Sequence, residues 1–212
     1  MRWNLVTLCF SLLLAMPLSR AENIIVKPTG AYAAIDTHLA NETIRSLQTA
    51  KPEAQAELIK KITGAPENYA PPVLYLVSSL LFKEDKKDEA MFWFYAGQLR
   101  GRIDAEICAD RSAREAVAVL NQQFGLPINQ YAFKDIPKLT ATVENVLKWE
   151  EKTECKYDRR WINLHGMGAF VGDADAALSA PAAEWENIRK KTRDEYRTGF
   201  NEAMKGLAAK RH

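Results

Sequence analysis

Histidine is almost missing from this chain. There are three in 212 residues, His38, His165 and His212, and no two stand four apart. Paired histidines at helical spacing are the usual mark of a zinc site, so no metal site is read. Cysteine is as scarce, with Cys9, Cys108 and Cys155, and two cysteines without a histidine pair do not make a zinc site either. No Gly-x-Ser-x-Gly elbow and no glycine-rich phosphate loop occurs, which removes the common signatures of serine hydrolases and nucleotide enzymes. No catalytic residue and no cofactor is assigned. An excess of one charge is missing too, with 29 basic side chains against 27 acidic. That balance argues against nucleic acid as a partner, which calls for a net basic surface.

Long apolar runs are absent beyond the first 21 residues. Val73 to Phe82 is interrupted by Ser78 and Ser79, so no segment after the leader is expected to cross a membrane. The one clear run, Leu5 to Met16, follows Arg2 and precedes Pro17-Leu18-Ser19-Arg20-Ala21. It is about 12 residues, short of the ~20 that a membrane-spanning helix needs. Small residues at Ser19 and Ala21 fit signal-peptidase cleavage before Glu22. Residues 1–21 are therefore expected to be a cleaved signal peptide. The chain is exported, to the periplasm in a Gram-negative bacterium and otherwise to the exterior. Arg2 and Arg20 leave with the leader and no acid does, so the remainder is formally neutral. Cys108 and Cys155 are then an even pair in an oxidising compartment, which favours a disulfide. It would close a loop of roughly 48 residues and stabilise by about 4 kcal/mol in the chain-entropy view. The alternative is two free, buried thiols.

Residues 22–212 read as one all-α domain, a bundle of about six or seven helices. Pro52 to Thr63 has proline in its first turn and Gly64 beyond its end, the usual asymmetry. Pro71-Pro72 opens a helix to about Glu84, and the polar run Lys83 to Lys87 turns into a third from about Lys87 to Ile107. Asp110 caps a fourth ending near Gly125. Asp135, with Pro137 in the first turn, starts a fifth to about Lys152. Pro181 opens the last, to about Ala208, whose Tyr196, Phe200, Met204 and Leu207 share one face. Between them, residues 153–180 form a long irregular loop. Loops beyond ~12–15 residues are commonly functional or disordered.

Candidate sites follow from this layout. Phe92-Trp93-Phe94-Tyr95 puts aromatic rings all around one helical turn, which favours a central buried helix over a stacking surface. Arg100, Arg102, Asp104 and Glu106, of mixed sign, are expected to face solvent, as are Glu150-Glu151 and Glu184-Glu186. In the long loop, Asp158, Arg159, Arg160, Trp161 and His165 are the candidate partner-binding residues, with Asp158 orienting the arginines. Arg and Trp are enriched among residues that carry binding energy. The competing reading pins the loop to the body through Trp161, Ile162 and Leu164 and pairs the arginines with local carboxylates.

Leu74, Val77, Ser78, Leu81, Ala90, Phe94 and Gly97 fall at the spacing of a tetratricopeptide-type helical hairpin. Residues 72–105 resemble one such repeat, and the lack of a second matching period favours a bundle with one hairpin over a repeat array. The layout of leader, Phe92 to Arg100, Ile128-Asn129-Gln130-Tyr131 and Trp161 to Met167 resembles small exported all-α bacterial proteins of the immunity type. That resemblance implies a non-enzymatic binding protein whose protein partner is a secreted antibacterial effector. Two other readings stand beside it: a cell-envelope hydrolase with a carboxylate or His165 site, and a helical adaptor or assembly factor.

Overall fold

The computed structural model describes residues 27–171 and 177–209. The expected leader lies outside them, and so does His212. Eight α-helices are present among the described residues: α1 His38–Thr49, α2 Pro52–Gly64, α3 Pro71–Lys83, α4 Lys87–Ile107, α5 Glu115–Ala132, α6 Ile136–Lys152, α7 Met167–Val171 and α8 Trp185–Ala209. Short 3-10 turns link several of them. No strand occurs among these residues, only an antiparallel bridge between Cys108 and Ser179. The protein is all-α, as its helical periodicity indicates.

The hairpin expected from the small-residue spacing is formed by α3 and α4. Ser78 and Ala90 are fully buried at their contact. A Cβ on Gly97 would stand 3.2 Å from the Tyr75 ring and 3.4 Å from Leu74 Cβ, so glycine is what lets α4 lie this close to α3. The turn passes through Asp85 at φ 63°, a left-handed conformation that a short polar side chain tolerates best after glycine.

Helix α4 is the centre of the molecule, flanked by α3, α5, α6 and α8. Trp93, Phe94 and Tyr95 are buried, and Phe92 and Trp93 meet Trp149 of α6 edge to face. The aromatic turn is core. Because α4 is covered on so many sides, its polar residues are drawn inside too. Arg102 and Glu106 are exposed as expected, but Arg100 and Asp104 are fully buried. Glu150 is also fully buried, while Glu151, Glu184 and Glu186 are exposed.

Two helices differ from the sequence reading. The polar sequence of α1 hides a helix whose Thr43 and Leu47 are buried, with Ala40 and Ile44 packed beside the core. Helix α5 does not stop near Gly125 but runs to Ala132, with Pro127 inside it. Gly125 is a contact residue rather than a terminator: a Cβ there would meet Phe94 Cζ at 2.9 Å. Pro127 removes the donor for the carbonyl of Gln123, and both residues are exposed, so water can satisfy it. Asp110 caps the 3-10 turn Arg111–Arg114 that leads into α5, accepting from the Ser112 amide at 2.9 Å. On α8, Tyr196 is buried and Trp185, Ile188, Phe200 and Met204 pack on the core.

Candidate functional site

The segment after α6 is irregular but not loose. It is tied to α4 by buried charge. Arg100 Nη1 donates to the Pro66 carbonyl at 2.9 Å, and Nη2 donates to the carbonyls of Thr153 and Glu154 at 3.3 and 3.0 Å. Its guanidinium lies 4.2 Å from the centre of the Trp149 ring. One turn further on, Asp104 accepts from Arg159 Nε at 2.8 Å, Trp161 Nε1 at 2.8 Å and the Tyr157 hydroxyl at 2.9 Å. Burial pushes the Asp104 carboxyl above its ordinary 3.8, while Arg159, Trp161 and Tyr157 pull it down. Burial works against the Arg159 guanidinium as well, yet Asp104 and Tyr157 hold it raised and charged. Three donors converging on two oxygens suit a carboxylate, which only accepts, better than a protonated acid. The pair is ionised.

Glu150 is held in the same way. Its Oε1 accepts from Arg189 Nε and Nη2 at 3.1 and 3.0 Å, and its Oε2 accepts from Arg193 Nη1 at 2.8 Å. These bonds lock α8 to α6. A carboxylate this fully occupied has no free oxygen for acid–base work.

The candidate binding residues therefore divide. Arg159 and Trp161 point inward, 7% and 4% exposed, with their polar groups on Asp104. Asp158 and Arg160 sit at the rim. Asp158 accepts from Arg160 Nε and Nη2 at 2.9 and 2.7 Å and from the Asp36 amide at 3.0 Å, so it orients Arg160 and anchors the segment before α1. Desolvation raises its carboxyl, but the bonds from Arg160 and Asp36 outweigh this and keep it below the usual 3.8. His165 is exposed at one edge, backed by the Trp161 ring at 5.6 Å. Burial of the ring's other side holds its imidazole below the ordinary 6.5, so it is neutral at pH 7. It makes no hydrogen bond to a carboxylate among the described residues, so nothing orients it as a general base.

The expected disulfide is not formed. Cys108 and Cys155 are both free thiols. The reason is local: each is held by different partners. Cys108 Sγ donates to Asn163 Oδ1 at 3.0 Å, and burial pushes its thiol up to about 11. Cys155 lies beside Tyr157, Arg100 and Arg159, with burial raising its thiol. The loop is pre-ordered instead by Asp104, and by Asp110, whose Oδ2 accepts from the Gly168 amide at 2.8 Å.

The feature missed in the sequence is an open groove of about 520 Å³ bounded by α1, α5 and the 3-10 turn Arg159–His165. Its walls are largely apolar, from Ala40, Ile44, Val119, Leu120, Trp161 and Leu164. Val119 is 57% exposed, and Leu126, two turns along α5, is 67% exposed. The groove's one carboxylate, Glu115, forms no ion pair among the described residues, and His165 closes one end. The signal was available in part: Ala116, Val119, Leu120 and Gln123 follow helical spacing, but so does the buried Val117 side of the same helix.

No protein-family model matches the chain, and no solved structure matches it. An uncharacterized protein of Haemophilus influenzae (strain Rd) is 26% identical over 132 residues, which is 61% of this chain and 47% of that protein. The chain thus spans about half the length of this curated relative. Among the described residues, no helix is long and apolar enough to cross a membrane.

Proposed function

We propose that this chain is an exported, non-enzymatic protein-binding module, and that its partner is a secreted antibacterial effector which it neutralises. The observation that carries the binding reading is the apolar groove between α1, α5 and the Arg159–His165 turn. An open apolar groove with a polar rim on a packed domain is a common shape for an interaction site. The occupant is an apolar segment of the partner bearing a lysine or arginine, because Glu115 on the groove wall has no ion-pair partner among the described residues. Arg160 and His165 extend the surface at its rim, while Arg159 and Trp161 hold the rim in place from beneath. The leader supports export, and the layout resemblance supports the effector as the partner class.

The test starts from the tagged chain recovered from envelope extract with its bound protein, which is then purified and titrated back. Val119→Lys should weaken binding about tenfold or more, since it sets a cation in an apolar wall one turn from Glu115, where it pairs with that carboxylate and repels the partner's cation, and should leave the melting temperature unchanged. Arg160→Ala should weaken it less. Producing the partner in a cell that lacks this chain should stop growth, and restoring the chain should rescue it. Equal affinity for the Val119→Lys variant would show that the partner does not bind in the groove. A partner that is harmless without the chain would remove the neutralising role.

A further inference from the structure

A second opening, of about 440 Å³, lies between α4, α5 and α8 and shares no lining residue with the apolar groove. Its floor is built on a directed chain of hydrogen bonds. The Tyr196 hydroxyl donates to Gln98 Oε1 at 2.6 Å, which leaves Gln98 Nε2 to donate to Asn121 Oδ1 at 2.9 Å. The Tyr75 hydroxyl donates to the same oxygen at 2.7 Å. Burial raises both phenols well above their ordinary 10, so both remain protonated donors. Asn121 Oδ1 is fully used, and its Nδ2 group is turned away from the network. That amide donates to no group among the described residues.

The walls add charge, only part of it paired. Arg102 on α4 lies 5.5 Å from the centre of the Tyr196 ring and forms no ion pair or hydrogen bond among the described residues. Glu195 on α8 has only a 3.6 Å contact with Lys191, one turn back on its own helix. Glu106 and Arg114 neutralise each other at 2.9 Å. What is left is a guanidinium, an amide NH₂ group and a carboxylate with one loose lysine contact, in a crevice that the Tyr196 ring and Val117 also line.

We propose that this crevice binds a small zwitterion, an amino acid or dipeptide, with its carboxylate on Arg102 and Asn121 and its ammonium on Glu195. The apolar part of the ligand lies against Tyr196 and Val117. A simple anion is the poorer fit, because it leaves the Glu195 carboxylate without an ammonium to hold. A dicarboxylate is poorer still.

Isothermal titration with the dipeptide alanyl-leucine tests this on the purified protein. Saturable binding is expected. Blocking both ends, as in N-acetyl-alanyl-leucine amide, should weaken it about tenfold or more, the usual effect of losing charge-assisted bonds. Arg102→Gln and Glu195→Gln should each do the same. Both residues are exposed, so the variants should melt with the parent. No saturable binding at about 10 mM dipeptide, tenfold above a millimolar Kd, would overturn the proposal. So would binding that survives Arg102→Gln, or succinate binding as tightly as the dipeptide.

Discussion

Replacing Asp104 by alanine should be among the most damaging single changes in this protein. The Asp104 side chain has no exposed surface, and the side chain of its Arg159 partner is nearly all buried. Removing the carboxylate strands a buried guanidinium, which costs about 3–5 kcal/mol. It also leaves the Trp161 N–H and the Tyr157 hydroxyl without their acceptor, at ~1–3 kcal/mol each when no substitute is found. These losses share one group and do not add fully, so about 5 kcal/mol is the expected total. At ~2–4 °C per kcal/mol for a chain of this size, the melting temperature should fall by roughly 10–20 °C. Arg159→Met should cost less, about 2 kcal/mol, because the carboxyl that remains keeps two donors and can take up a proton where burial already favours it. The double change Asp104→Ala with Arg159→Met should be less harmful than Asp104→Ala alone, since it leaves no unpaired charge. Urea melts followed by tryptophan fluorescence, from Trp93, Trp149, Trp161 and Trp185 of the folded domain, would measure all three variants. An Asp104→Ala variant within about 1 kcal/mol of the parent, or single changes that simply add in the double, would refute the assignment of this pair as the anchor of the loop.

The remaining expectations are simpler. Gly125→Ala gains ~1 kcal/mol of helix propensity but drives a methyl into the Phe94 ring, so it should destabilise by about 1–2 kcal/mol net in a chemical melt. Asp158 and Asp110 both have carboxyls held below the ordinary 3.8: desolvation opposes this in each, Arg160 and Asp36 produce it at Asp158, and Ser112 and Gly168 at Asp110. Their contribution is therefore complete above that value and lost as pH falls through the lowered one. A pH series of melts should show the loss beginning near pH 4 and diminished in Asp158→Asn. Mass spectrometry after alkylation in denaturant should find both Cys108 and Cys155 labelled without reduction, whereas the folded protein should label slowly because burial raises both thiols.

The helical hairpin was legible in the sequence because small residues at Ser78, Ala90 and Gly97 leave a spacing that only close helix packing uses. The aromatic turn of α4 was legible as core for a similar reason. Arg100, Asp104 and Glu150 were not. A charged residue on a helix is exposed in most proteins, and what brings these inside lies far along the chain: Asp104 meets Arg159, and Glu150 meets Arg189 and Arg193. The same distance hid the roles within Asp158 to His165. The cluster was visible, but only the position of α4 decides that Arg159 and Trp161 turn inward while Arg160 and His165 stay at the rim. The disulfide was inferred from parity and compartment, neither of which knows that the Cys108 thiol already bonds to Asn163. Helix α1 was hidden by its threonines, serine and asparagine, and the groove with it, since α1 supplies one wall.

Site-specific photo-crosslinking tests the central claim most directly. A photoreactive residue is placed at Val119 in the groove and, in a second protein, at the exposed Lys60 of α2, which lines none of the openings. Both are expressed in the source cell and irradiated. One defined protein should be attached at Val119 and absent at Lys60. That protein, once purified, should bind the parent and lose about tenfold or more in affinity toward Val119→Lys. Equal capture at both positions, or no capture at Val119 in cells where the partner is present, would contradict it.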